Sequence, residues 1–240
     1  IPACLESGIP AREIPVARLT SKDYAATLAS GIRPDRATPA ADLGEAPKAS
    51  PEMEGESADT THFSIVDEAG NIITNTYTLS GFYGSQVVVP GTGVLMGNIY
   101  GAFSDGGRNV LPAGHRPPST MSPTLVLTRD RQAWFALGSP GAATIPNTLV
   151  QVISNIIDFR MSLRDAIEFP RIHHQYLPDR IESEPGALPY EVAEALKARG
   201  HVLSNRYRSQ GDVHAVMVEE KTGWRLGWSD GRRGGKVSGY

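Results

Sequence analysis

The feature that most constrains this fold is a change of character at residue 60. From 33 to 59 the chain carries Pro34, Pro39, Pro47 and Pro51 among Ala, Glu, Asp and Ser. No hydrophobic period survives there, so the stretch reads as a mobile linker. At Thr60 a strand pattern begins. Phe63, Ile65 and Val66 lead into Asp67-Glu68-Ala69-Gly70-Asn71, a turn signal. The run Ile72-Ile73-Thr74-Asn75-Thr76-Tyr77-Thr78-Leu79 follows, rich in β-branched and aromatic residues. Two such runs around one turn predict a β-hairpin. If Val66 pairs with Ile72, Thr60 lies directly opposite Thr78 on the same sheet face. A slip of one residue would put them on opposite faces, so the register is a sharp expectation.

The rest of the chain alternates between the two periods. Upstream, 1–32 is thin in core material, with one short helix expected from Lys22 to Ser30 and stopped at Gly31. Downstream, Thr124-Leu125-Val126-Leu127-Thr128 and Ala133-Trp134-Phe135-Ala136-Leu137 flank a polar turn and predict a second hairpin. Its continuously apolar runs suit strands buried on both faces. Ile145, Leu149, Val152, Ile153, Ile156 and Ile157 recur at helical spacing and predict a long amphipathic helix to about Asp158. Ser162 is placed to cap another helix through Ile167, and Pro189 to Arg199 predicts a third, stopped by Gly200. Closing strands are expected at Val202–Tyr207, Val213–Val218 and Trp224–Trp228. Strands, helices, then strands indicate a layered α/β domain with helices packed on sheets.

Composition narrows the function classes. A net charge of -3 gives no reason to expect nucleic acid or an anionic membrane as partner. No run approaches the roughly 18 apolar residues of a membrane span. The single cysteine, Cys4, excludes an internal disulfide. There is no signal-peptide pattern, and the start at Ile1 without an initiator Met marks the chain as an expected piece of a longer product. The histidines show no H-E-x-x-H spacing, and His173 and His174 are adjacent, so on a strand they face opposite ways. No phosphate-binding glycine loop occurs. Neither metal nor nucleotide cofactor is expected.

Three motifs carry chemistry. Thr60 stands where linker becomes strand. A threonine released there as a new N-terminus is a complete catalytic unit, its hydroxyl the nucleophile and its α-amine the base; otherwise it is an ordinary strand residue. Gly138-Ser139-Pro140-Gly141-Ala142 precedes the long helix. It reads equally as a plain strand-to-helix connection or as an oxyanion hole built from free N–H groups at a helix start. Ser119-Thr120-Met121-Ser122-Pro123 enters a strand; its hydroxyls suit either a bound carboxylate or nearby backbone groups, and taken alone the backbone role is favoured.

In order along the chain, several motifs resemble the γ-glutamyltransferase (γ-glutamyltranspeptidase, glutathione hydrolase) family. They are Thr60-Thr61-His62-Phe63-Ser64, Arg116-Pro117-Pro118-Ser119-Thr120-Met121-Ser122-Pro123-Thr124, Gly138-Ser139-Pro140-Gly141, Pro170-Arg171-Ile172-His173-His174-Gln175 and Gly239-Tyr240. The resemblance implies an N-terminal-nucleophile hydrolase with a four-layer αββα sandwich. It divides the chain into 1–59, the tail of a large subunit with its flexible linker, and 60–240, the small catalytic subunit. It further implies that the precursor cuts itself between Asp59 and Thr60, and that Thr60 is then the nucleophile. Thr78 corresponds to the threonine that hydrogen-bonds the nucleophile hydroxyl, and Gly141 with Ala142 to the oxyanion-hole pair. Ser119 and Thr120 correspond to paired hydroxyls on the substrate α-carboxylate. The implied partners are the large subunit, an amide donor such as glutathione, and water or an amine as acceptor. The implied location is periplasmic or secreted.

Departures bear on the substrate. Near Ser80 the family typically has Asn, and at Ala142 a second glycine. At Ile99 and Ala102 it carries a polar residue and an acid that grip the substrate α-ammonium, whereas here both are apolar. A buried ammonium without a counter-charge costs several kcal/mol. Two enzyme readings therefore stand: a γ-glutamyl amide hydrolase or transpeptidase, and an acylase of the same mechanism for another acyl group, such as a glutaryl or β-lactam side-chain amide. A third, non-catalytic reading is an unprocessed precursor or binding subunit.

Overall fold

The computed structural model describes residues 15–43, 60–98, 104–105, 108–109, 119–207 and 209–240. The N-terminal part holds two helices, α1 (Val16–Leu19) and α2 (Lys22–Ser30). Ser21 caps α2 by accepting the Tyr24 N–H at 3.1 Å. A 3-10 turn follows at Ala40–Leu43.

The first hairpin forms as expected. β1 (Thr60–Val66) and β2 (Ile72–Thr78) pair antiparallel with Thr60 opposite Thr78 and Val66 opposite Ile72. The turn is held by Asp67, whose carboxylate accepts the Asn71 backbone and side-chain N–H groups, each at 2.8 Å. Two minimal strands, β3 (Ser104–Asp105) and β4 (Arg108–Asn109), pair with each other.

The main sheet has four strands in the order β11 (Arg225–Ser229), β10 (His214–Val218), β6 (Ala133–Gly138) and β5 (Thr124–Leu127). Beyond β6 come a 3-10 turn at Ala142–Thr144, then α3 (Ile145–Ile157) and α4 (Leu163–Glu168), the latter capped by Ser162. A third sheet joins β7 (Ile172–His174), β8 (Ile181–Ser183) and β9 (Leu203–Tyr207), with α5 (Tyr190–Ala198) between its last two strands.

Residue alternation along β6 separates two interfaces. Phe135 and Leu137 join Val213, Ala215 and the apolar stripes of α3 and α4 in one buried core. The opposite face of β6 and β10 is covered by the β1–β2 hairpin. Helix, sheet and sheet are thus three stacked layers of an α/β sandwich. No helix among the described residues is long and apolar enough to cross a membrane.

Two expectations change. β5 is not buried on both faces: Leu125 is 44% and Leu127 42% exposed, because β5 is the edge strand of its sheet. The stretch from 33 onward is not wholly unattached either. The Ala37 N–H donates to Arg199 O (2.7 Å), Arg199 Nε to Pro34 O (3.0 Å), and the Ala40 N–H to Asp179 Oδ2 (2.7 Å). Docking through backbone groups leaves no apolar period in the sequence. Asp59, Ile99, Ala102 and the proline-rich stretch 44–58 lie outside the described residues.

Candidate functional site

Thr60 is the first residue of β1, and its side chain points inward, where it is buried. Its hydroxyl donates to Thr78 Oγ1 at 3.0 Å. Thr78 Oγ1 also accepts the Ser80 N–H at 2.9 Å. The hairpin register therefore produces this contact directly, since the two residues are cross-strand partners. Ser80 turns the chain away at φ 71°, a left-handed conformation that serine adopts at a cost and asparagine tolerates better.

Beneath Thr60 the hairpin's inner face is polar. His62 Nδ1 bonds Thr76 Oγ1 at 2.7 Å, and Nε2 bonds Ser64 Oγ at 2.9 Å. Thr74 Oγ1 reaches the Leu137 carbonyl of β6 at 3.2 Å. Burial, reinforced by the neighbouring His214, lowers the His62 pKa to about 4, so the ring is neutral at ordinary pH. It stacks on His214 at 6.5 Å between centroids. Both its nitrogens are occupied by hydroxyls other than Thr60, so His62 is not placed as the base of a Thr–His pair.

His62 also sets where Thr60 lies over the second sheet. A Cβ on Gly138 would stand 2.2 Å from the His62 ring, so only glycine allows this approach. With Thr74 against Leu137 and His62 against Gly138, Thr60 lies toward the end of β6, where the strand gives way to Ser139-Pro140-Gly141-Ala142. Gly141 has φ 135° and a Cβ there would meet Thr144 Oγ1 at 2.6 Å. Ala142 opens the 3-10 turn at φ 47°. The first N–H groups of such a turn lack a helical acceptor and are available to an anion.

Ser119 and Thr120 approach this loop from the other side. Thr120 donates its hydroxyl to Ala142 O at 2.8 Å, and Ser119 Oγ accepts the Met121 N–H at 3.2 Å. Both hydroxyls thus serve backbone groups. The Thr120 hydroxyl acts as a donor here and the Ser119 hydroxyl as an acceptor.

Several groups here were given no role from the sequence, although Ser139 and Arg171 lie within its motifs. Ser139 and Asp212 are buried against each other behind the loop, with the Asp212 N–H donating to Ser139 Oγ at 2.8 Å. Behind them, Arg171 is 1% exposed and donates to Gln210 O, Ile167 O and Asp230 Oδ2. Arg232 grips Glu184 through Nε at 2.7 Å and Nη2 at 2.6 Å. Burial acts to raise the Glu184 and Asp230 carboxyls, but Arg232 and Arg171 respectively, with backbone N–H donors, outweigh it and hold both below the usual range. Among the described residues no group of three or more His, Cys, Asp or Glu could hold a metal ion.

A buried hydroxyl opening a strand, in a hairpin that covers β6, and a loop of helix-start N–H groups following β6 are parts that acyl transfer could use. Comparison with known proteins points the same way. Residues 9–240 match the gamma-glutamyltranspeptidase family model. A glutathione hydrolase proenzyme of Pseudomonas aeruginosa is 38% identical over 223 residues, covering 87% of this chain and 38% of that protein. The acylase ACY 1 proenzyme of Pseudomonas sp. strain SE83 is also 38% identical, over 207 residues, covering 85% of this chain and 35% of that one. The gamma-glutamyltranspeptidase of Pseudomonas nitroreducens, solved with L-DON, superposes with a TM-score of 0.63 at 39% identity over 75% of this chain and 98% of the matched chain. This chain therefore spans little more than a third of the length of the curated relatives it matches.

Proposed function

Since this chain belongs to the gamma-glutamyltranspeptidase family, we propose that it is the nucleophile-bearing part of a γ-glutamyl amide hydrolase or transpeptidase. The observation that carries this reading is the Thr60 hydroxyl, buried at the first position of β1 and bonded at 3.0 Å to Thr78. Thr60 acts twice. First its oxygen attacks the Asp59 carbonyl carbon, the peptide C–N bond breaks, and the resulting ester is opened by water, leaving the Asp59 carboxylate and a free Thr60 amine. That amine, with an ordinary pKa of about 7.7–8.0, then accepts the Thr60 hydroxyl proton near neutral pH. The hydroxyl oxygen attacks the donor amide carbon. The Gly141 and Ala142 N–H groups hold the oxyanion, each such donor contributing on the order of 3 kcal/mol. The amine returns the proton to the leaving nitrogen, and water or an amine acceptor opens the acyl-enzyme. Thr78 orients the hydroxyl.

The partner is the remainder of the precursor. The hairpin's outer face presents Phe63, Ile65, Ile73 and Tyr77 to solvent, which supports a further helical layer from the large subunit covering it and completing the αββα sandwich. A periplasmic or secreted location belongs to the same reading.

Thr60→Ala in the full-length precursor tests the nucleophile. Intact mass should show one uncut chain and no amidase activity; cutting or turnover by that variant would end the proposal. The second reading, an acylase for another acyl group, is favoured by the apolar Ile99 and Ala102 and by equal identity to an acylase. Matched γ-glutamyl and glutaryl anilides separate the two. A glutaryl donor at least as good supports the acylase, and a strong γ-glutamyl preference removes it. Proposing Ser119 and Thr120 for the donor carboxylate implies that Ser119→Ala raises KM.

A further inference from the structure

The loop that carries Gly141 and Ala142 and the strand that carries Thr60 are separate pieces of chain, and one buried residue outside both touches the support of each. Asp212 is 4% exposed and precedes β10. Its backbone N–H donates to Ser139 Oγ at 2.8 Å. Ser139 is 0% exposed and donates its own proton to Pro140 O at 2.5 Å, so its hydroxyl is held from both sides. The side chain of Asp212 points away from that bond and is anchored at both oxygens. Oδ2 lies 3.0 Å from His214 Nε2, and Oδ1 accepts the Arg233 N–H at 3.2 Å.

Each contact has a steric counterpart. A Cβ on Gly211, at φ 71°, would stand 2.6 Å from Ser139 Oγ, and one on Gly141 would stand 3.2 Å from Gly211 Cα. The oxyanion loop and the 211–212 turn therefore lie in direct contact, with room for no side chain between them. On the other side, His214 stacks on His62, and His62 fills the space over Gly138 two residues from Thr60. A Cβ on Gly235 would meet the His214 ring at 2.1 Å, so the C-terminal turn closes over His214 as well.

We propose that Asp212 is a positioning residue that sets the distance between the nucleophile strand and the oxyanion loop. Its backbone N–H holds the loop through Ser139, and its carboxylate, fixed between the Arg233 N–H and the His214 ring that stacks on His62, sets where that N–H stands relative to the hairpin. This rests on the proposed roles of Thr60, Gly141 and Ala142. Displacement of an oxyanion donor matters only where charge develops, so the loss should fall on kcat rather than on donor binding.

The test uses the full-length protein with Asp212→Ala, Asp212→Asn and Ser139→Ala, assayed on whichever anilide the wild type turns over. Asp212→Ala is expected to lower kcat by about tenfold or more and leave KM within about twofold. Asn should recover most of that, since its Oδ1 still accepts the Arg233 N–H and its amide can donate to a neutral His214. Ser139→Ala should lower kcat likewise, and the double variant should lose less than the product of the two single losses. Amide exchange of the 139–144 segment should quicken in both alanine variants while that of the β5–β6 turn does not. This readout needs no activity. Wild-type kcat in a folded, cut Asp212→Ala or Ser139→Ala protein, equal losses in kcat/KM through KM, or unchanged exchange at 139–144 would overturn the proposal. Failure of the underlying reading shows separately, as turnover by Thr60→Ala.

Discussion

The two faces of the four-stranded sheet are covered in opposite ways. Toward α3 and α4 the contact is apolar, with Phe135, Leu137, Val152 and Val213 all at 0% exposure. Toward the β1–β2 hairpin it is a lattice of hydroxyls and imidazoles, His62, Ser64, Thr74 and Thr76, while Phe63, Ile65, Ile73 and Tyr77 of the hairpin point outward. Apolar burial is non-directional and tolerates small shifts, so it supplies stability without fixing one strand over another. Hydrogen bonds are directional and need donor and acceptor within a narrow range of distance and angle, so the polar face specifies where β1 lies over β6. One face holds the domain together, and the other seats on β6 and β10 the hairpin that carries Thr60.

If that division is right, variants on the two faces should separate. Phe135→Ala removes a fully buried ring from the helix-facing core and should cost about 3–5 kcal/mol of stability. Its surviving folded fraction should keep kcat. Thermal denaturation with kcat corrected for active sites checks this, and a kcat lost out of proportion to unfolding would break the comparison. Gly138→Ala works from the other face. The new methyl would lie 2.2 Å from the His62 ring, so the ring must leave its hydrogen bonds or β1 must shift. Overpacking of this kind costs about 1–3 kcal/mol. Stability should therefore fall less than for Phe135→Ala, while kcat and the rate of Asp59–Thr60 cutting fall further. Equal or greater activity loss for the core variant would contradict the assignment of roles.

How much of this was legible in the sequence depended on range. The Thr60–Thr78 contact follows from a turn signal and period-two alternation, both local, and the register came out as expected. Ser162 announced a helix start through its side chain, which accepts the Asp165 N–H, and Gly200, at φ 92°, a helix end through its backbone. The support of the site is different. Ser139 and Asp212, or Ser64 and His214, meet across long stretches of chain, and nothing local in either partner reports the other. Polar strand faces usually are solvent faces, so the alternating polar residues of the hairpin do not by themselves announce a buried face. Arginine is almost never fully buried without partners, and two of those of Arg171, Asp230 and the Gln210 carbonyl, are distant in sequence. The apolar core toward α3 was visible because a helical stripe and a strand run each carry their pattern alone.

The polar face should also be the more pH-sensitive one. His62 titrates near 4 when folded and near 6.5 when unfolded, so between those values the unfolded chain binds the extra proton. Stability from this group is present above pH 6.5 and is lost as pH falls toward 4. The depressed Asp230 and Glu184 carboxyls act in the same direction lower down, as pH falls from the ordinary carboxylate range. His62→Gln keeps hydrogen-bonding capacity without the titration. Its stability relative to wild type should therefore improve steadily from pH 7 to pH 4, by on the order of 1–2 kcal/mol after allowing for partial solvation of the ring. Parallel denaturant curves across that range would rule out His62 as the source.

The smallest expected effect tests the loop itself. Ala142 sits at φ 47°, where an L-residue other than glycine is strained by about 1–2 kcal/mol. Glycine removes that strain but frees the unfolded chain, which returns about 0.4–1 kcal/mol. Ala142→Gly should therefore stabilise by roughly 0.5 kcal/mol. The backbone N–H is the same in both residues, so kcat should change little if the loop's position comes from Ser139 and Asp212 rather than from the Ala142 side chain. Thermal melts and kcat on one preparation decide it. A destabilisation above about 1 kcal/mol would mean that the methyl packs against something and that the strain is repaid there. A large fall in kcat at unchanged stability would mean that the loop relies on Ala142 for its stiffness, and that its anchoring to the 211–212 turn is not sufficient to hold the two N–H groups in place.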